Sequence, residues 1–303
     1  MIPPERAFCL APGICASLAV PNHARSIAAI VLPTDSLPRS GPGRLHVALC
    51  RRFAAEGIPA MRIESANSGT GAEVPRVVHK NNLLDQESVL AMDALERTTS
   101  ICRHLLIGTG AGAYAAFRAA LSDPRVVGIA LINPQDFVGD PAWSAMVLVQ
   151  RYMQRSSRSM RSWVNLVSGR ADYKRILSTL SGRIISWATG RDAVAKARAQ
   201  AIAVSMLTLI ERGCRVMCLV TDRHSSLDHT QALFGTLRQR GFQSYTIPGA
   251  DHLMRDPQQR EDTITRLVTW AVSCSAIPVQ ASNNTVNPAC AVSSKQLAEI
   301  RQA

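Results

Sequence analysis

The chain alternates short, almost wholly apolar runs with longer stretches in which apolar residues recur every three or four positions. Eight runs rich in β-branched residues read as strands: Ala7–Leu10, Ile14–Val20, Ile27–Leu32, Ala60–Glu64, His104–Ile107, Val127–Ile132, Arg215–Val220 and Gln243–Ile247. Several stop at turn punctuation: Pro33 after the third, Gly108 after the fifth, Asn133-Pro134 after the sixth and Pro248-Gly249 after the last. The mid-chain runs are apolar at nearly every position rather than at every second one. A strand covered on both faces needs that pattern, so it predicts a central parallel sheet between two helical layers.

The helical stretches lie between these runs. Arg44–Glu56 sets Leu45, Val47, Ala48, Leu49 and Phe53 along one side before Gly57. Asp85–Glu96 spaces Val89, Met92 and Leu95, and Ala111–Leu121 is rich in small residues and stops before Asp123-Pro124. Asp228–Arg240 ends at Gly241, a natural C-cap, and Asp262–Val272 closes the pattern with Ile264, Leu267, Val268 and Trp270. Two regions depart from the rhythm. Phe137–Glu211 holds helical patterns and no convincing strand, and reads as a helical cap inserted between the sixth and seventh strands. After Cys274 the composition turns to Ser, Asn, Ala, Pro and Val, so 275–303 reads as a flexible tail behind a single domain of 1–274.

Composition narrows this picture in three ways. At 303 residues, 47% hydrophobic and 18% charged, the chain can bury the core of one large α/β domain. No stretch of about 18 uninterrupted apolar residues occurs, so no transmembrane helix is expected. The apolar opening, Phe8–Val20, is broken by Pro12-Gly13 and follows Glu5 and Arg6, so it reads as two short strands rather than a signal peptide.

The eight cysteines sit mostly inside apolar runs, form no CxxC pair and have no metal-like spacing with histidine. They point to a reduced, cytoplasmic protein with no metal or other cofactor. The net charge of +12 is concentrated: Arg151–Arg198 holds eleven basic residues against Asp172 and Asp192. That segment is either a solvated arginine-rich helical surface or a surface for anionic small molecules, acyl ligands or weak membrane-surface contact. No nucleic-acid-binding motif accompanies it, so no nucleic-acid partner is expected.

The sharpest local signal is Leu105-Leu106-Ile107-Gly108-Thr109-Gly110-Ala111-Gly112-Ala113, an apolar strand running into a small-residue helix. It has the shape of a nucleophile elbow, G-x-S-x-G, with Gly110 where the nucleophile stands. A dinucleotide-type phosphate loop is the second reading. Against it, the motif follows the fifth strand, and Ala113 replaces the third glycine of G-x-G-x-x-G. Close helix–strand packing without chemistry is the third. Two loops add candidate residues. Ile247-Pro248-Gly249-Ala250-Asp251-His252 puts a histidine just after the last strand, where a general base sits in a serine hydrolase. Asp222-Arg223-His224-Ser225-Ser226-Leu227-Asp228 follows the seventh strand, where the acid that orients such a histidine is carried.

On these residues the chain resembles the α/β-hydrolase superfamily from about Arg6 to Val272. More narrowly, it is similar to the α/β hydrolases associated with exosortase and exopolysaccharide gene clusters. Further support comes from Gly41-Pro42-Gly43-Arg44-Leu45, Leu49–Pro59, Leu131-Ile132-Asn133-Pro134, and Arg151-Tyr152 through Trp163 to Gly169-Arg170. The resemblance implies eight strands with the second antiparallel, and a Ser (or Cys)–Asp–His triad. Carried over, the nucleophile falls on Gly110, the acid on His224 and the base on His252. Asp222 and Asp228 are acids that can slide into the acid role. The family's oxyanion-site His-Gly corresponds to Pro33-Thr34. Its Asp-x-x-Gly-x-Gly after the fourth strand is reduced to Glu64–Gly71. The set implies a hydrolase of the ester or thioester class that has lost its nucleophile and binds a ligand or partner. One alternative is an active hydrolase or acyltransferase using an unorthodox nucleophile with His252 as base, although Thr109 beside the gap points elsewhere on a sharp turn; another is a peripheral membrane accessory of polysaccharide export held by the basic cap.

Overall fold

A computed structural model describes residues 3–33, 38–65, 80–134, 137–147, 191–222, 226–251 and 254–276. Eight strands form one sheet: β1 (Glu5–Ala11), β2 (Ile14–Ala19), β3 (Ala28–Leu32), β4 (Ala60–Glu64), β5 (His104–Thr109), β6 (Val126–Ile132), β7 (Arg215–Thr221) and β8 (Phe242–Ile247). Each coincides, to within two residues at either end, with an apolar run of the sequence. Their spatial order is β1-β2-β4-β3-β5-β6-β7-β8. β2 is antiparallel to both its neighbours, and β4, β3, β5, β6, β7 and β8 run parallel. The apolar opening of the chain is therefore a hairpin, β1–β2, turning at Pro12-Gly13, where Gly13 has φ 79°.

Helices α1 (Leu45–Ala55), α2 (Lys80–Thr99), α3 (Ala111–Ser122), α4 (Arg191–Glu211), α5 (Ser226–Phe234) and α6 (Pro257–Ser275) cover the sheet. A short helical segment spans 141–147. Alternation along the central strands assigns each side chain to a layer. Ile30, Leu32, Leu106, Ile129, Leu131 and Val220 face α2, α3, α4 and α5. Ala29, Val31, Leu105, Ile107, Ala130, Ile132 and Leu219 face α1 and α6. This double burial is why the central strands carry no polar alternation.

Three helices differ from the sequence reading by more than one residue. The helix expected over Asp228–Arg240 is α-helical only to Phe234 and continues as a 3₁₀ turn, Gly235–Arg240, before Gly241 at φ 105°. Gly235, with no side chain to hold the regular turn, stands at the change. α2 extends beyond Asp85–Glu96 at both ends. α6 begins five residues earlier than the apolar spacing suggests, because Asp256 caps it: its side chain accepts hydrogen bonds from the N–H groups of Gln258 and Gln259 at 2.8 and 3.1 Å.

Most of the region read as a cap, 148–190, lies outside the described residues, as does the tail from 277. Its last part, α4, places Ala195, Ala199, Met206 and Leu209 in the core and leaves Val194 and Val204 exposed. α4 is also long and apolar enough, by length and composition, to cross a membrane. Cys50, Cys214, Cys218 and Cys274 are buried free thiols, as small core hydrophobes should be. Cys102 is disulfide-bonded, which departs from the expectation of a wholly reduced chain.

Candidate functional site

The parallel strands β3, β5, β6, β7 and β8 present their carboxyl ends along one edge, and every candidate loop leaves from that edge. In open α/β sheets this edge is where ligands bind. At its centre β5 ends at Thr109 and α3 begins at Ala111, leaving Gly110 alone to make the reversal. Gly110 is buried, with φ 59° and ψ −116°. That is a conformation L side chains rarely adopt. Its N–H donates to the Ile132 carbonyl at 2.9 Å, and its carbonyl accepts from Ala113 N–H at 3.2 Å. The reversal is thus anchored both to β6 and to the first turn of α3.

The two flanking glycines are required for a different reason. A Cβ on Gly108 would overlap the Gly112 carbonyl group and the Ala113 nitrogen. A Cβ on Gly112 would lie 2.5 Å from the Pro33 carbonyl oxygen. So α3 packs backbone to backbone against its own strand and against the end of β3. The N-cap residue of α3 is Gly110, which has no side chain to cap the helix. The N–H after the elbow is the donor that α/β hydrolases use for an oxyanion, and here it belongs to Ala111. Thr109 is buried at the end of β5.

The neighbouring loops are held in two places. Asp222 follows β7, and its Oδ1 accepts from the Gly249 N–H at 2.9 Å. This ties the loop after β7 to the loop after β8, three residues before His252. Asp228 lies on α5 and is half-buried. Asp222 is thereby bonded to the loop that leads to the histidine. His252, His224 and Thr34 lie outside the described residues.

On the other side of the same loop stands Asn133, whose role the sequence reading missed. It is 2% exposed and has φ 45°. Its Oδ1 accepts from the Thr221 N–H at 2.8 Å, the Thr221 hydroxyl at 3.2 Å and the Ser226 hydroxyl at 3.5 Å. Asn133 therefore joins the ends of β6 and β7 to the start of α5. The signal was present: asparagine tolerates the left-handed region better than most residues, and here it closes a strand before proline.

Solved structures share this fold. A dienelactone hydrolase from Anabaena variabilis superposes with a TM-score of 0.54 at 12% identity, covering 90% of this chain and 99% of that one. An α/β serine hydrolase without a lid, from Xanthomonas campestris, gives 0.52 at 14% identity, covering 90% and 96%. The fold is that of the α/β hydrolases. A proline iminopeptidase from Mycobacterium smegmatis matches similarly, with a TM-score of 0.51 at 14% identity over 90% of this chain and 99% of that chain. Comparison with protein-family models finds no match, and neither does comparison with curated proteins. The strand-to-helix reversal between β5 and α3 is a glycine turn. Its backbone anchors are described above; a side chain that could attack a carbonyl is missing at Gly110.

Proposed function

We propose that this protein is a degenerate α/β hydrolase of the ester or thioester class, which binds a ligand or partner at the carboxyl edge of its sheet without turning it over. Gly110 at the elbow carries this reading. Removing a triad nucleophile lowers turnover by about six orders of magnitude, and an oxyanion site alone retains only about 10³-fold over water. The resemblance to exosortase- and exopolysaccharide-associated hydrolases supports a role as an accessory of polysaccharide export. The basic excess between Arg151 and Arg198 favours an anionic or acyl ligand.

One observation favours a second reading, an active hydrolase or acyltransferase with an unorthodox nucleophile and His252 as base. Asp222 is bonded to the loop leading to His252, as an acid that orients a base would be. Hydrolysis of p-nitrophenyl esters separates the two. Under the first reading, the wild type and His252→Ala release p-nitrophenol at the same background rate. A wild-type rate well above background that His252→Ala abolishes would overturn it. Gly110→Ser then probes what survives of the site: esterase activity above wild type, lost again on adding His252→Ala, is expected where the elbow, base and oxyanion donors remain in register.

A further inference from the structure

Away from the elbow, the β1–β2 hairpin carries a second cluster of reactive groups. Cys9 and Cys15 lie directly opposite each other across the two strands. Both are free thiols; Cys9 is exposed and Cys15 half-buried. Their sulfurs are 3.9 Å apart, within hydrogen-bonding distance for thiols. Facing residues of an antiparallel pair have Cα separations of about 4.5–5.5 Å, inside the range of about 4.4–6.8 Å that a disulfide spans. Bond formation needs the sulfurs to close from 3.9 Å to about 2.05 Å, a movement of χ angles rather than strands. The register slips between Cys9 and Ala11, so the backbone on that side is already irregular and can absorb the adjustment. The pair does not share the environment of the buried cysteines. Burial pushes Cys50 and Cys218 up to about 12, which keeps them inert.

We propose that Cys9 and Cys15 are a reversible dithiol–disulfide site, oxidised by small-molecule disulfides and closing as a cross-strand staple on the edge hairpin. The exposed Cys9 thiolate attacks one sulfur of the small disulfide, forming a mixed disulfide and releasing the first thiolate. The Cys15 thiolate then attacks the Cys9 sulfur, forming the Cys9–Cys15 bond and releasing the second. The two protons lost by the cysteines are taken up by the two departing thiolates. Two electrons pass from the pair to the small disulfide, which leaves as two thiols. The order follows from exposure and from the hydrogen bond to Cys9, which holds the Cys15 thiol above its usual range until Cys9 has reacted. Cys15 also faces Glu64, the last residue of β4, whose carboxylate binds Arg39 at 2.5 Å. The staple would therefore form at the same end of the sheet as the elbow.

The test uses the full-length reduced chain, equilibrated in glutathione buffers of rising oxidised fraction, quenched with acid, alkylated and digested with trypsin. Both cysteines fall in one peptide, Ala7–Arg25. The wild-type peptide is expected to lose both alkylations together, to become about 2 Da lighter than its dithiol form, and to return to that form with dithiothreitol. In Cys15→Ser the second step is removed, so Cys9 should hold bound glutathione at a level about tenfold or more above wild type. Because Cys15→Ser changes one half-buried atom at an edge, it leaves the core intact. The proposal is overturned if both thiols stay alkylatable at every ratio, if wild type keeps glutathione on Cys9 as the variant does, or if the oxidised product is a cross-link between chains.

Discussion

Three glycines in five residues build the elbow, and they answer two different steric demands. Gly108 and Gly112 are close-approach glycines, where any Cβ collides with backbone that belongs to the same turn or to β3. Gly110 is a conformational glycine, set by φ 59° and ψ −116°. The two demands predict different costs. Gly110→Ala meets the strain of a side chain in a sparsely populated region, about 1–3 kcal/mol. Gly108→Ala must displace α3 from β5 and should cost about 3 kcal/mol or more. Urea unfolding midpoints should therefore rank wild type above Gly110→Ala and Gly110→Ala above Gly108→Ala; the reverse order would mean that the elbow is not packed as described. The same ranking bears on function. A serine at Gly110 meets the strain that hydrolases of this fold carry as a matter of course, so the residue that stands there is a matter of chemistry more than of folding.

Among the elements, the ends of helices are decided by single side chains. α6 is the clearest case. Its apolar stripe, Ile264, Leu267, Val268 and Ala271, packs on β6 and β7 from the second turn onward and says nothing about the first turn. Asp256 starts the helix, accepting two N–H groups, with Pro257 at the first helical position, where its missing N–H is harmless. Asp256→Ala should lower stability by about 1 kcal/mol, whereas Asp256→Asn, an equally good cap, should recover most of that loss. Equal losses from both substitutions in urea denaturation would assign the effect to charge rather than capping. The loop that α6 follows is the one bearing His252, so this cap also fixes where that loop ends.

At the scale of the whole molecule, two of the described histidines, His104 and His46, are buried away from the candidate site. His104 opens β5 at the amino end of the sheet, and both its ring nitrogens lack a hydrogen-bond partner among the described residues. Burial, reinforced by the Arg125 guanidinium, depresses its pKa to about 4. His46 on α1 is depressed to about 4 by burial and by Arg62. A histidine held at about 4 when folded and near 6.5 when unfolded makes the unfolded state the better proton acceptor between those values. Stability is then fully present above about pH 6.5 and is lost as pH falls toward 4, by up to about 3 kcal/mol for each group. Leucine in place of His104 should reduce the proton uptake on unfolding between pH 4 and 6.5 by about one. Urea titrations across that range measure it, and an unchanged slope would show that His104 is not the titrating group.

The sheet was legible because double burial leaves an unmistakable mark: strands such as Leu105–Ile107 and Ile129–Ile132 are apolar at every position. Glycine and proline then mark where each strand must turn. The elbow was legible for a related reason, since close backbone approach admits only glycine and so writes itself into the sequence as Gly108, Gly110 and Gly112. Contacts between residues far apart in the chain leave no such mark. That Asn133 would bind Thr221 and Ser226, that Asp222 would hold the loop after β8, and that Cys9 would face Cys15 all depend on register and on loop paths. Those are settled by the summed packing of the whole core, not by any local pattern. The sequence by itself determined the layers, the strands and the glycine turn between β5 and α3. Only the tertiary structure decided which polar side chains meet at the sheet's edge, because a hydrogen bond needs a distance and an angle that no single segment contains.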